Sequence, residues 1–587
     1  MMPGMSTARP MTDDLEIPEE DEVAAWPERI WAHGAVRALA AFLLFLALSI
    51  LIWGHGVIGH LSSVYVSGGG DADFFRWALG WVPWALEHGR SPMFTDRVFA
   101  PDGVTLTWTA VIPGPAIVMW PITKTFGSLV SYNLLMLLAP ALAAWAAYLV
   151  CNRLTHAFWP SVVGGYLFGF STYMVGQMAS HVNLVLMFPI PLVVYLVIRR
   201  LEGSLGLLTF LAGSFGVLLA MFSISTELFA TAAVFGGIAF LLAIAFGPGR
   251  AAILRTAVLT GAAFLAVVAV MFVPYVQPTL RNAPSGPIRP IGPTAADALG
   301  FLVPRGDLLI GGRTFLSTSA RFTARVQEDA AYLGVALVLT VIGFAITERR
   351  RRGTWPLVAF VLIASVLAMG PILHVAGVEH GWWPGALLAH APILRNATPQ
   401  RFPMYTALAV GVIAALWVAR GRGWFGWVRW ALVLVGAVML LPAAKTDPNP
   451  MDRTPSFFRD GTYASQLFPD ENVLVITDAN GEEMAWQETA HFAFRMPEGY
   501  IGALPDAYAS PRLFRGLAVH DKLPFVPGPD ELKRFMRERE VGAIVMDDLA
   551  RPTFETAVRS AGYAPVYEGG GVSVWRNGST AGTTAGG

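Results

Sequence analysis

The sequence predicts a polytopic α-helical membrane protein of about eleven spans with a C-terminal extracytoplasmic α/β domain. Of its 587 residues, 54% are hydrophobic and only 14% are charged, whereas a water-soluble domain carries about a quarter charged residues. Apolar stretches near the ~20 residues that a helix needs to cross hydrocarbon recur from residue 36 to residue 443. Arginine gathers in alternate short loops and is missing from the turns between them, the asymmetry that sets the sidedness of membrane helices.

The elements follow in order. Residues 1–35 carry Asp13, Asp14, Glu16, Glu19, Glu20, Asp21, Glu22 and Glu28 where a signal peptide would need a basic region, so they are expected to form a disordered acidic cytoplasmic tail. Residues 36–443 form the transmembrane domain. Its spans are expected near 36–58, 128–150, 159–175, 182–198, 205–222, 226–246, 253–275, 329–347, 355–375, 402–419 and 428–443. With the N-terminus inside, Arg153, Arg199, Arg200, Arg250, Arg255, Arg349–Arg352, Arg420, Arg422 and Arg429 all fall on the cytoplasmic side, while the turns 176–181 and 223–225 carry neither Lys nor Arg. Loops 59–127 and 276–328 then face outward, as does everything after about residue 444.

Residues 444–576 read as an extracytoplasmic α/β domain. Val473–Ile476 and Val541–Val545 are short buried strands. Asp530 is placed to cap a helix from Glu531, a second helix runs from Pro552 to Ser560, and Gly569–Gly571 turn into a strand at Val572. Residues 577–587, rich in Gly, Ser and Thr, are expected to be disordered. Balanced totals of 41 basic and 41 acidic residues exclude the basic face that nucleic-acid binding requires, and one cysteine, Cys151, excludes a disulfide framework.

The chemistry concentrates in the first outer loop. After Ser67-Gly68-Gly69-Gly70 come Asp71 and Asp73, then Phe74, Trp77, Trp81 and Trp84 at helical spacing. That aromatic face is expected to lie along the outer membrane surface at headgroup level. Two carboxylates at the head of such a helix, Asp71 and Asp73, are candidate catalytic groups; the competing reading makes Asp71 a plain helix cap. The glycine run lacks the Gly-Lys-Ser/Thr of a phosphate loop. Arg76, Gln177, His181, Glu227, Gln400 and Arg401 are candidate substrate-binding residues, most of them polar groups at the outer ends of spans, where ionisable groups mark a pathway or a site. For these the competing readings are packing for His181, water exposure for Glu227 and snorkelling for Arg401. Asp71, Asp73 and Glu227 also leave a divalent cation open, as hard oxygen ligands, without specifying a metal site.

Several of these residues sit in a recognisable series: Asp71, Phe75 and Trp77; His88-Gly89 and Pro92; Ala100-Pro101 with Gly103-Val104; Tyr132-Asn133; Phe168–Ser171; Gly176-Gln177 and His181; Ala331–Gly334; and Arg401-Phe402. The series resembles the GT-C superfamily of polytopic membrane glycosyltransferases, of the actinobacterial, polyprenyl-phosphate-sugar-dependent type, over residues 36–576. The resemblance implies a GT-C-like fold in the plasma membrane and transfer of a sugar from a polyprenyl-phosphate donor to an extracytoplasmic glycan, lipid or protein acceptor. It implies a role in cell-envelope biogenesis, with an acid early in the first outer loop as catalytic base, the position of Asp71. Where relatives often have Asp-Pro, this chain has Asp71-Ala72-Asp73, so either acid fits. A transporter or flippase for lipid-linked glycans, or a non-catalytic envelope-assembly subunit, would share the membrane architecture.

Overall fold

A computed structural model describes residues 34–283, 295–323, 328, 330–389, 396–443, 449–479, 481–502 and 526–577. The acidic segment up to residue 33 and the Gly/Ser/Thr-rich residues after 577, both expected to be disordered, lie outside the described residues.

The helices, in chain order, are α1 (Gly34–Trp53), α2 (Gly70–Glu87), α3 (Pro113–Phe126), α4 (Ser128–Thr155), α5 (Phe158–Gly169), α6 (Thr172–Gln177), α7 (Val182–Leu201, opened at 186–188), α8 (Leu207–Ile224), α9 (Thr226–Phe246), α10 (Arg250–Val270), α11 (Gly334–Thr347), α12 (Thr354–Ala368), α13 (Pro403–Ala419) and α14 (Gly423–Met439). Seven among the described residues are long and apolar enough to cross a membrane: α1, α4, α7, α8, α9, α10 and the helix that includes α13. The expected count of eleven is not met on length, for local reasons. The span expected at 159–175 stops at Gly169 because Ser171 caps a new helix, its hydroxyl accepting from the Met174 amide. The span expected at 355–375 stops at Ala368, where Gly370 and Pro371 lead into a hairpin of Ile372–Val375 and Val378–Trp382.

Two helices form the centre. The span of α13 is 94% buried and that of α4 72%, against 17–44% for the others, so the rest form a ring with lipid-facing sides. Helices in hydrocarbon gain by close packing more than by expelling water. Gly164 of α5 and Gly411 of α13 meet backbone to backbone, and a Cβ on either would come within 2.7 Å of the other's carbonyl oxygen.

The C-terminal portion holds a four-stranded sheet in the order β1 (Asn472–Ile476), β2 (Val541–Asp547), β4 (Val572–Asn577), β3 (Tyr563–Gly569). The β1–β2 pair is parallel and the others antiparallel. Helices α15 (Glu482–Thr489), α16 (Pro529–Glu538) and α17 (Arg551–Ser560) accompany it. Gly528, not Asp530, occupies the N-cap of α16; Asp530 lies in its first turn. β3 escapes a reading by apolar runs because it is an edge strand, with alternate residues exposed.

The aromatic helix α2 departs most from expectation. It does not lie on the membrane surface: Trp77 and Trp81 are fully buried, and α2 packs on α3 and α4 on one side and on α15 on the other. The rings of Trp77, Trp81, Trp84 and His88 stack in a ladder, and Phe492 of the C-terminal domain lies against the three indoles. Trp77 Nε1 donates to Gln487 Oε1 at 2.8 Å, and Gln487 Nε2 donates to the carbonyls of Arg97 and Phe494. The same periodicity that suits a headgroup belt suits a face buried under a second domain, and spacing alone does not separate the two. The glycine run before α2 serves that approach. A Cβ on Gly68 would come within 2.7 Å of Pro450, and one on Gly481, at φ +90°, within 2.6 Å of Gly70 Cα.

Arg76 fastens this seam. It is 6% exposed and donates from Nη1 to Tyr65, Asp452 and Thr454, from Nη2 to Thr489 and from Nε to Ser128, with Glu488 at 3.3 Å. A guanidinium so enclosed holds protein together and has little left for a substrate. Arg76→Leu strands the Asp452 and Glu488 carboxylates in a buried setting. It is expected to destabilise the protein by about 3–5 kcal/mol, read as a lower thermal midpoint in detergent; an unchanged midpoint would refute the clamp.

Candidate functional site

The start of α2 is positioned from α4. Asn133 accepts from the Val66 amide and donates to the carbonyls of Leu61 and Val64, and the Tyr132 hydroxyl donates to Ser67 O at 2.7 Å. The glycines that follow deliver Asp71 and Asp73 within the first turn of α2, where the N-cap is Gly69 and no side chain caps the helix. Asp71 is therefore not a cap.

Its carboxylate is held by two distant segments. His181 Nε2 lies 2.9 Å from Oδ2, and the Tyr500 hydroxyl donates to Oδ1 at 2.6 Å. The other nitrogen of His181, Nδ1, lies 2.7 Å from Gln177 Oε1, so the ring is held between the amide and the carboxylate. The Asp71 side chain remains 33% exposed and that of His181 16%. A part-exposed carboxylate, oriented by an imidazole that is itself oriented by an amide, is arranged to accept a proton from an incoming group.

Asp73 differs. Two residues on, it is buried, accepts from the Tyr65 hydroxyl at 2.6 Å and lies beside Arg76. Burial raises its pKa to about 7, against the opposing hydrogen bond from Tyr65 and the charge of Arg76.

A second group of polar residues gathers where α9 and α13 begin. Arg401 forms ion pairs with Glu227 and with Glu328, the latter at 3.1 Å. Gln400 Nε2 donates to Glu328, and the Thr398 amide donates to Glu227 at 3.1 Å. Arg401 is only 8% exposed, so it does not snorkel, and Glu227 is occupied rather than merely wetted. The short helix α6 joins the two groups. Thr172, at its start, donates to the carbonyls of Ala330 and Tyr332, beside Glu328, while Gln177, at its end, orients His181. Gln177 Nε2, Gln400 Oε1 and Arg401 Nε are buried without a hydrogen-bond partner among the described residues, which marks places for an additional polar group.

Three residues here escaped the sequence reading: Tyr65, Glu328 and Tyr500. Each lies in irregular chain without periodicity, and only the fold brings it to its partner. A divalent cation needs several converging oxygen ligands. Among the described residues no three His, Cys, Asp or Glu side chains stand so, and Asp71, Asp73 and Glu227 have separate partners. Among the described residues these acids do not converge on a common cation position.

Behind Asp73 the seam buries further acids of α15 and its neighbours. Burial raises Glu482 to about 7 and Glu483 to about 8, and pushes Glu498 well above the carboxylate range. Both oxygens of Glu483 lack a hydrogen-bond partner among the described residues. Acids with raised folded values stabilise the fold fully below their unfolded pKa of about 4, and that contribution is lost as pH rises through the folded values. The thermal midpoint is expected to fall from about pH 4 to about pH 8 and then level, with Glu483→Gln flattening the slope. A midpoint that rises over this window would contradict it.

The solved structures with similar folds include an arabinofuranosyltransferase and an oligosaccharyltransferase. Arabinofuranosyltransferase AftD from Mycobacteria is 15% identical, with a TM-score of 0.54 over 92% of this chain and 41% of that one. The archaeal oligosaccharyltransferase AglB from Archaeoglobus fulgidus, solved with an inhibitory peptide and a dolichol-phosphate, is 11% identical, with a TM-score of 0.48 over 95% of this chain and 75% of that one. ArnT from Cupriavidus metallidurans, solved bound to undecaprenyl phosphate, is 11% identical, with a TM-score of 0.41 over 92% and 98%. The likeness to AftD is one of fold, and the chain spans 41% of that protein's length. It shows the fold alone and does not reach a narrower, actinobacterial group. A search of curated proteins finds no match. The model of one family, described as Domain of unknown function (DUF6311), matches residues 38–442, more than half of the sequence, and the chain belongs to that family.

Proposed function

We propose that this protein is a membrane glycosyltransferase that moves a sugar from a polyprenyl-phosphate donor to a hydroxyl of an extracytoplasmic glycan, lipid or protein, with Asp71 as the base. The observation that carries the reading is the part-exposed Asp71 carboxylate, held by His181 and Tyr500 at the rim of the helices; the AftD-like fold supports it. A sugar hydroxyl is a weak nucleophile at neutral pH and needs a carboxylate within hydrogen-bond reach as it attacks the anomeric carbon. Tyr500 already places a hydroxyl against Oδ1, the relation that an acceptor must take up. Asp73, buried under Tyr65, suits the role less. One attack step inverts the anomeric configuration.

Arg401 fits sugar hydroxyls better than the departing phosphate. Two carboxylates outweigh its charge, so the group is net negative and would repel an anion. His181, with one nitrogen at Asp71 and the other at Gln177, orients the base. Glu227, Glu328, Gln400 and Gln177, with their unfilled buried polar atoms, suit a polyhydroxylated ligand.

The cytoplasmic N-terminus and extracytoplasmic site follow from arginine placement. α7 runs from His181 to Arg199-Arg200 and α13 from Arg401 to Arg420, with the site residues at one end and the arginines at the other. The three shorter apolar helices α11, α12 and α14 are further candidate spans beside the seven long ones. Ser317→Cys is expected to react with an impermeant maleimide on intact cells, over a low background because Cys151 is buried. Reaction only after permeabilisation would invert the orientation.

Purified protein in liposomes with polyprenyl-phosphate sugars tests the activity. Asp71→Asn is expected to lower transfer by about 10²–10⁴-fold without loss of fold, while Tyr500→Phe retains it because the acceptor replaces that hydroxyl. Full activity in Asp71→Asn would remove the assignment.

A further inference from the structure

At the end of α11 and α13 away from Asp71, four helix termini converge. α11 stops at Thr347 and α12 starts at Thr354, while α13 stops at Ala419 and α14 starts at Gly423. Seven arginines crowd this corner: Arg349, Arg350, Arg351, Arg352, Arg420, Arg422 and Arg429. One acid answers them. Glu348, 8% exposed, receives Arg351 at 2.7 Å and Arg420 and Arg429 at 3.5 Å. Arg349, Arg350, Arg352 and Arg422 are exposed, and none has a hydrogen bond or ion pair among the described residues.

Sidedness alone would account for charge in this loop, but not for its arrangement. In the turn before α8 the donors are used locally: Arg153 pairs with Glu202 at 2.6 Å, Arg199 donates to Ser204 and Arg200 to the Leu205 carbonyl; at the start of α10 two exposed arginines, Arg250 and Arg255, stand against four at the corner. At the four-helix corner the open guanidiniums stand beside the most exposed aromatic group among the described residues, Trp424, Phe425 and Trp427, each more than 70% exposed. Below these, α14 exposes Leu434, Val435 and Val438, and the adjoining α11 exposes Leu339, Ile342 and Ile346. Guanidiniums, then aromatic rings, then an aliphatic face follow the order of phosphate, glycerol and acyl chain in a phospholipid. The helix between Arg401 and Arg420 is about 25 Å long, close to the hydrocarbon thickness of about 30 Å, which puts this corner in the leaflet opposite the Asp71 site.

We propose that this corner is a binding site for an anionic phospholipid of the leaflet opposite the Asp71 site. Arg349, Arg350, Arg352 and Arg422 take the headgroup phosphate, and the faces of α11 and α14 take the acyl chains. The proposal depends on the membrane orientation of the helices and not on the catalytic reading.

The test is native mass spectrometry of the full chain in mild detergent, offered equal amounts of dioleoylphosphatidylglycerol and dioleoylphosphatidylcholine. The wild type is expected to retain the anionic lipid preferentially. The variant R349Q/R350Q/R352Q/R422Q spares the three arginines on Glu348 and is expected to lose that preference by about tenfold or more, since each arginine near an anionic surface contributes roughly fivefold. The variant R199Q/R200Q, which removes charge from the turn before α8, keeps it. Equal retention of both lipids by the wild type, or equal losses in the two variants, overturns the proposal. Should the quadruple variant not fold, added salt must strip the anionic lipid from the wild type and leave the zwitterionic one; adducts indifferent to salt overturn it equally.

Discussion

The guanidinium of Arg76 sits where three parts of the chain meet: the helix that carries Asp71, the N-terminal end of α4, and the C-terminal domain at Asp452, Thr454 and Thr489. A charge so far from water is tolerable only with its partners in place. Those partners come from every side of α2, so compensating the charge also fixes the helix. With α2 fixed, the glycines before it and the indole ladder along it have one place to go, and Asp71 emerges at the edge of the seam within reach of His181 and Tyr500. Asp73, half a turn on, points the other way into the clamp. The difference in exposure between the two acids follows from which side of the helix Arg76 occupies.

Much of this was legible from residue order, and the rest was hidden for identifiable reasons. Apolar runs gave the helices, because hydrocarbon demands them, and Arg401 and Glu227, at the heads of two of them, do meet. Gln177 and His181, four apart, do pair. The stopping points were harder: Ser171 and Gly370 break helices through local hydrogen bonding and backbone freedom that hydropathy does not register. The aromatic face of α2 was seen but not its environment, since burial under a protein domain and immersion among headgroups favour the same residues at the same spacing. Tyr500 and Glu328 were unreadable, because nothing in their neighbourhood hints at a partner more than seventy residues away.

The charge layout separates two kinds of arginine. Arg76 and Arg401 are buried and each faces two carboxylates; they organise carboxylates and hydroxyls into fixed positions. At the far ends of α11 and α13, Arg349, Arg350, Arg352 and Arg422 are exposed, and one acid, Glu348, faces the arginines beside them. The same side chain acts as an internal strut on one side of the helix bundle and as open positive charge on the other, and only the number of nearby acids distinguishes the two.

The seam also sets an order of events during synthesis. The C-terminal residues that bond Arg76 and Trp77 are 376 to 413 positions further along the chain. At about 5–20 residues per second they leave the ribosome some 20–80 s after α2 does. For that interval a helix bearing an arginine, two aspartates and three tryptophans stands at the membrane without its cover, neither apolar enough to insert nor polar enough to be at ease in water. A nascent chain in this condition is a natural client for a chaperone at the outer surface, and a truncation anywhere before residue 450 would leave it in that state permanently.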